Sequence, residues 1–283
     1  MVKRRIIQLI STLLCNLNLK GFATGRIYQG QLKTLCLPGL NCYSCPGAIG
    51  ACPLGSLQSF VSGTVPRFPL YVAGWLLLMG LWLGRTVCGW LCPFGFIQEL
   101  IYHTPLPKLG KSRTTRLLSR LKPVWGILLV LVIPLALWTV QGIGVPAFCK
   151  YLCPAGTLEA SIPLLLLNAP LMKAAGWLTV WKFIVLAVFL LLMMVLYRPF
   201  CRFLCPLGAW YGCFNRHAAL GITVDRNRCT ACGHCAAICP MDIKIAGDRE
   251  CISCGKCQHS CPSAAISFRQ IHKNRKDEQP CQK

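Results

Sequence analysis

Acidic side chains are nearly missing from this chain. Asp and Glu together number 8 among 283 residues, and charged residues of both signs make up only 13 %. So little charge, beside a hydrophobic share of 54 % and a mean hydropathy of +0.53, argues against a soluble domain and for an integral membrane protein. No C-x2-C-H run occurs, which excludes a covalent c-type haem attachment of the usual kind. No G-x-G-x-x-G and no P-loop occurs, so reduction of a flavin or nucleotide has to belong to a partner. No signal-peptide cleavage pattern is evident either. The start Met1-Val-Lys3-Arg4-Arg5, followed by an apolar run, is expected to be an uncleaved first span.

Cationic residues and cysteines are what the chain has in excess. The formal net charge is +22. A nucleic-acid partner is the first reading of such a number, but two observations remove it. Cysteines count as neutral in that sum, and four thiolate-ligated iron–sulfur clusters of about −2 each would bring it to about +14. The remaining excess follows membrane topology.

Four segments have the apolar character of a bilayer span, which takes about 20 residues. They are Ile6 to Ala23, interrupted by Gln8, Asn16, Asn18 and Lys20; Phe68 to Leu83; Val124 to Val145, carrying Pro134; and Gly176 to Tyr197, carrying Lys182. The piece Ile162 to Met172 is too short to span and is expected to be interfacial or re-entrant. Lys3, Arg4 and Arg5 precede the first span. Arg85, Lys108, Lys111, Arg113, Arg116, Arg120 and Lys122 lie between the second and third, against Lys150 and Lys173 alone between the third and fourth. The positive-inside rule then predicts a multi-pass protein of the cytoplasmic membrane with both termini in the cytoplasm.

The 21 cysteines are too many and too regularly grouped for a disulfide scaffold in a chain of this length. Cys229-x2-Cys232-x2-Cys235-x3-Cys239-Pro240 is repeated 22 residues on as Cys251-x2-Cys254-x2-Cys257-x3-Cys261-Pro262. This is the spacing of bacterial-type ferredoxins, in which each run gives three thiolates to one [4Fe–4S] cluster and its fourth to the other. One cluster is expected on Cys229, Cys232, Cys235 and Cys261, the other on Cys251, Cys254, Cys257 and Cys239. His234 and His259, inside these runs, are expected to shield clusters rather than ligate.

A second pattern, C-x3-C-P-x-G, occurs three times at span edges: Cys88/Cys92, Cys149/Cys153 and Cys201/Cys205. Positions i and i+4 share a helix face, so both sulfurs can address one centre, and the proline ends the helix beside them. Cys36 to Cys52 is a looser relative, with Cys42, Cys45 and Cys52-Pro53-Leu-Gly55. Topology sorts these into an inner set, Cys88, Cys92, Cys201 and Cys205, and an outer set, Cys42, Cys45, Cys149 and Cys153, with Cys36 and Cys52 as alternatives. Two further iron–sulfur clusters are expected, one near each face, the outer one across a hydrocarbon core about 30 Å thick from the ferredoxin side. Cys15, Cys213 and Cys281 receive no role.

These features resemble the NapH-type membrane iron–sulfur proteins, the quinol-dehydrogenase subunits of periplasmic nitrate reductase systems, and are similar to the membrane and polyferredoxin region of NosR-type and CcoG-type proteins. The resemblance rests on four spans, the boxes Cys88/Cys92 and Cys201/Cys205, the stretch Cys205-Pro-Leu-Gly-Ala-Trp-Tyr-Gly212 and the double ferredoxin run. It implies electron transfer between membrane quinone or quinol and a redox partner protein, within a larger complex. Cys149/Cys153 and the Cys36–Cys52 cluster depart from the NapH pattern, so the resemblance assigns them nothing. The alternative it raises is a metal-reducing or cofactor-assembly protein of CcoG type; a redox sensor is disfavoured because no output domain follows.

The expected fold is an α-helical membrane domain of four spans over residues 1–215, a cytoplasmic α+β module with two [4Fe–4S] clusters over 220–271, and a disordered charged tail, 272–283. Glu99 and His103, at i, i+4 spacing behind the first inner box, are the candidate quinol site, because ionisable residues are rare in such settings. The bland reading has Glu99 pairing with an Arg at the membrane surface. Glu159, behind the outer box, is equally isolated.

Overall fold

The computed structural model describes residues 2–61, 69–142 and 144–269. The charged tail with Cys281 and the start of the expected second span at Phe68 lie outside the described residues.

Among the described residues, two helices are long and apolar enough to cross a membrane. One runs from Thr114 to Gln141, with mean hydropathy 2.2 over 28 residues; the other is Trp177–Val195, with 2.6 over 19 residues. At 1.5 Å per residue they reach roughly 42 and 28 Å. Their outward side chains stay uncovered by the chain: Val140 is 82 % and Trp177 76 % exposed, surface that needs an apolar surrounding. The longer helix starts ten residues before the expected Val124, since the Ser112/Thr115 capping box nucleates it. Pro123 and Pro134 both sit within it. One π-helical turn, Leu128–Val132, lies between them.

The expected first span is two helices, Val2–Cys15 and Leu19–Thr24. Their junction is made by asparagines. Asn16 donates to Thr12 O at 3.0 Å and to Asn41 at 3.2 Å, and Asn18 donates to Pro46 O at 2.7 Å. These short amides exchange helical continuation for contacts with the cysteine-rich loop. The expected second span is the helix Leu70–Leu83, 14 residues and apolar on every side. The piece expected to be too short to span forms two short helices, Ile162–Leu167 and Ala169–Lys173, broken at Asn168.

At the core three phenylalanines, each 0 % exposed, meet edge to face or tilted: Phe94 against Phe200 at 5.4 Å and Phe148 against Phe200 at 6.2 Å. Around it, the helix Pro206–Phe214 packs on Arg113–Ile127 and Leu70–Leu83, and Pro93–Tyr102 on Val2–Cys15 and Trp177–Val195. Beyond Phe214 two short strands, Ile222–Val224 and Ile266–Phe268, pair antiparallel with Ile222 opposite Phe268. They frame the helices His234–Ile238 and Lys256–His259.

Candidate metal centres

The boxes acquire a physical meaning at the helix starts. Cys92, Cys153 and Cys205 are each the N-cap of a helix whose first residue is the following proline. The amides of Gly95, Gly156 and Gly208 donate to those sulfurs at 3.4, 3.4 and 3.3 Å. Cys52, before Pro53–Val61, receives the Gly55 amide in the same way. A free N–H and the positive end of a helix both favour a thiolate. The glycine also makes room: a Cβ at Gly95 would lie 3.0 Å from the Cys88 carbonyl and from the Arg198 guanidinium, and one at Gly208 3.3 Å from the Cys201 carbonyl.

Cys88, Cys92, Cys201 and Cys205 are all buried and grouped. Gln98 Nε2 donates to Cys201 Sγ at 2.9 Å. Sequence reasoning missed the residues that frame this set. Arg85 and Arg198, both 0 % exposed, stand three residues before Cys88 and Cys201. Each reaches across to the other box: Arg85 Nη2 donates to Cys201 O at 3.3 Å, and Arg198 Nη1 donates to Cys88 O. R-x-x-C-x3-C-P-x-G at two of the three boxes was the readable signal; the third has Pro146 at the arginine position.

Carboxylates tie these arginines down. Glu99 is held by Arg4 in a bidentate pair at 2.8 and 2.9 Å, by Arg198 at 2.8 Å, and by the Tyr197 hydroxyl. Burial opposes ionisation of Glu99, but Arg198 and the hydrogen bonds from Arg4 and Tyr197 prevail and pull its pKa down to about 2. Glu250 is shared by Arg85 and by Lys122 at 2.6 Å. Four buried cations thus face two carboxylates, a surplus of two positive charges around four thiols. A thiolate-ligated cube in its oxidised state carries about −2, which this surplus neutralises.

Of the six cysteines expected in or beside the outer set, four border one space. A cavity of about 430 Å³ is lined by Cys42, Cys52, Cys149 and Cys153; Cys36 and Cys45 are not among its lining residues. The backbone of Cys36 bridges to Ala51, and the Cys45 thiol faces Asn16 at 3.7 Å. Around this cavity the polar partners are Glu159, which accepts the Cys42 amide at 2.7 Å, and Gln58, which accepts the Cys149 amide at 3.0 Å. No arginine lines it among the described residues.

The two membrane sets are also neighbours, whereas the sequence placed one near each face of the membrane. Cys92 Sγ donates to Leu40 O at 3.9 Å, Gly39 lies against the Cys92 backbone, and Leu40 lines the cavity beside Cys42. Two residues of extended chain reach only about 7 Å. The loop dips inward because the buried Tyr211 hydroxyl donates to Pro38 O at 2.9 Å, a long-range contact.

In the C-terminal region, Cys229, Cys232, Cys235 and Cys261 line one void of about 150 Å³. Cys239, Cys251, Cys254 and Cys257, with Cys235, line another, much smaller one. The backbone repeats with the sequence: left-handed residues occur at Ala231 and Ser253, Gly233 and Gly255, Asp242 and Ala264, each pair 22 apart. Such alternation turns amides inward towards an anionic group. This region sits on the inner boxes. Trp90 Nε1 donates to Ser253 O at 2.9 Å, Gly89 lies against the Ile252 carbonyl, and Asp242 pairs with Arg116 at 3.0 Å and Arg202 at 2.7 Å. Cys251 is buried against this junction, whereas Cys232 is exposed.

Comparison with known proteins gives the family. The model of a 4Fe-4S binding domain family matches residues 64–113, 123–161 and 177–223, and a second 4Fe-4S binding domain matches 222–244. The protein MJ0750 of Methanocaldococcus jannaschii is 32 % identical over 69 % of this chain and 74 % of its own length. The methylamine utilization ferredoxin-type protein MauN of Methylorubrum extorquens is 32 % identical over 66 % of the chain. The ferredoxin-type protein NapH of Escherichia coli is 25 % identical over 66 %. This chain belongs to the NapH-type ferredoxin family. As a NapH-type protein it is a ferredoxin-type electron-transport protein with 4Fe–4S binding domains. The matches span 59 % of both MauN and NapH, and no solved structure matches the chain.

The cysteine sets fit such clusters. No three His, Cys, Asp or Glu side chains among the described residues close on a single ion. The Cys229 and Cys42 sets ring voids instead, with amides turned to sulfur, as a multi-iron group requires. All twenty described cysteines are free thiols. Of the acid–base candidates, both Glu99 oxygens are committed to cations and a phenol, and His103 is exposed beside Arg5.

Proposed function

We propose that this chain is a multi-pass membrane electron carrier linking the quinone pool to a redox partner through four iron–sulfur centres. The supporting observation is that the four cysteine sets are consecutive neighbours. The Leu40 loop joins the outer set to the inner one. The Arg85–Glu250 pair and the Gly89–Ile252 contact join the inner set to Cys251, and Cys235 borders both voids of the C-terminal module. Residues 1–215 form the membrane part and 220–271 the ferredoxin module. The proposed ligand sets are Cys42, Cys52, Cys149 and Cys153; Cys88, Cys92, Cys201 and Cys205; Cys239, Cys251, Cys254 and Cys257; and Cys229, Cys232, Cys235 and Cys261. Bound clusters supply one-electron carriage; the chain supplies spacing, amide donors and compensating charge. The exposed Cys232 end is the exit to the partner.

In this reading the two long helices cross the bilayer, and the 14-residue helices Val2–Cys15 and Leu70–Leu83 are the shorter crossings. Arg4, at the start of the chain, bonds to Gly89 O at 3.1 Å beside the ferredoxin module, which supports both being on the cytoplasmic side. The test is an iron count with EPR on anaerobically purified protein, followed by addition of quinol. About 16 iron atoms per chain and quinol-dependent bleaching are expected from four cubes. About 8 would leave the membrane boxes structural, and copper bound at the outer thiols would favour an assembly role.

A further inference from the structure

The cavity at the outer set is larger than an iron–sulfur group needs, judged by the protein's own yardstick. The void ringed by Cys229, Cys232, Cys235 and Cys261 is about 150 Å³, whereas this one is about 430 Å³, within the range of ligand pockets. The surplus is walled by residues other than cysteine. It follows Leu164, Leu171, Leu178 and Phe183 to a rim at Ala174 and Ala175, both exposed. The rim adjoins the end of the helix Trp177–Val195, whose outward face is apolar and uncovered.

One cation faces this space. Lys182 Nζ donates to Ser161 Oγ at 3.4 Å, its charge acts on the Cys149 thiol, and Thr179 lies one turn before it in the same lining. No carboxylate pairs with Lys182 among the described residues. An ionisable side chain in an apolar helix is costly to keep unless a polar partner or ligand uses it.

We propose that the surplus space is the site of a quinone head group, with Lys182 Nζ donating to a ring oxygen and the ring set against the outer thiols. This rests on the quinone reading above, and replaces Glu99 and His103 as the place where that reaction occurs. The occupant is specified by four features together: apolar walls, one strong donor, contact with a redox set, and a mouth in uncovered apolar surface through which a hydrocarbon tail leaves. The step balances. Both O–H bonds of the quinol break, two protons pass to water at the rim, and the outer and inner centres each accept one electron.

The test is photolabelling of the full-length, iron-loaded protein in lipid nanodiscs with an azidoquinone, read by peptide mass spectrometry. Label on residues 171–183, removed by excess unlabelled quinol, is expected. Lys182→Met and Ala175→Trp should each lower labelling and quinol-dependent bleaching about tenfold or more, with iron content and dithionite-reduced EPR unchanged; Lys182→Arg should restore part. Label at Pro93–His103 instead, unaltered behaviour of both variants, or a lipid acyl chain that quinone does not displace would overturn the site and leave the carrier reading standing. Wild-type protein that is neither labelled nor reduced by any quinol would overturn both.

Discussion

The inner and outer cysteine sets are built from one box and differ in everything around it. Both use cysteine as an N-cap, proline at the first helical position and a glycine amide on sulfur. The inner set adds Arg85, Arg198, Lys122 and Arg4, held by Glu99 and Glu250, and is closed to solvent. The outer set has the amide of Gln58, the carboxylate of Glu159 and a cavity. The comparison teaches that the box places sulfur while the surroundings differ, and under the proposed function that difference separates a relay from a centre that meets substrate. A relay between fixed neighbours has its charge neutralised internally. A centre that meets a substrate keeps space and a single cation beside it.

The comparison breaks most severely at the inner arginines. Arg198→Met leaves Glu99 and four thiolates short of a buried cation, and should cost roughly 3–5 kcal/mol. The expected measurement is a large loss of thermal stability together with loss of the inner cluster's EPR signal; an unchanged melting curve would mean the surplus charge is idle. Next come the outer thiols. Cys52→Ser should remove about 4 of about 16 iron atoms, while Cys45→Ser should remove none; the reverse outcome would restore Cys45 as the ligand.

Acid should then separate the sets by linkage. Glu99 ionises in the folded protein at about 2, below its ordinary value near 4.5. Its contribution is fully present above the ordinary value and is lost as pH falls through 2. Wild-type protein should therefore lose stability between about pH 4.5 and 2 in chemical unfolding, and Glu99→Gln, though weaker at pH 7, should show a shallower loss there. The smallest effect expected is steric. Gly95→Ala should cost about 1–2 kcal/mol, because its Cβ meets a buried guanidinium and a carbonyl. Gly156→Ala should cost less, since its nearest neighbours are sulfurs at 3.6 and 3.8 Å.

What sequence made legible followed from how local each signal is. The ferredoxin runs were legible as a repeat, because cluster ligation imposes spacing within twelve residues and the backbone repeats with it. The boxes could be read as paired sulfurs for the same reason. Arg85 and Arg198 carried a local signal that hydropathy obscured, as both resemble residues flanking a span. Glu99 could be read as an ion-pair partner, but nothing local said that Arg4, 95 positions away, would supply half of the pair. The position of the Cys36–Cys52 loop had no local signal. It depends on Tyr211 holding Pro38 and on asparagines that break the first apolar run, contacts made across the chain.

The pairing of Arg85 with Glu250 bears on the order of biosynthesis. The two residues are 165 positions apart, and Lys122 waits for the same carboxylate. A ribosome that has delivered every membrane helix has still not delivered the counter-charge for two fully buried cations. Residues 1–215 lack that counter-charge until Glu250 emerges, so the two parts are expected to mature together. Chains cut short before Glu250 would present that imbalance to the quality-control proteases of the membrane.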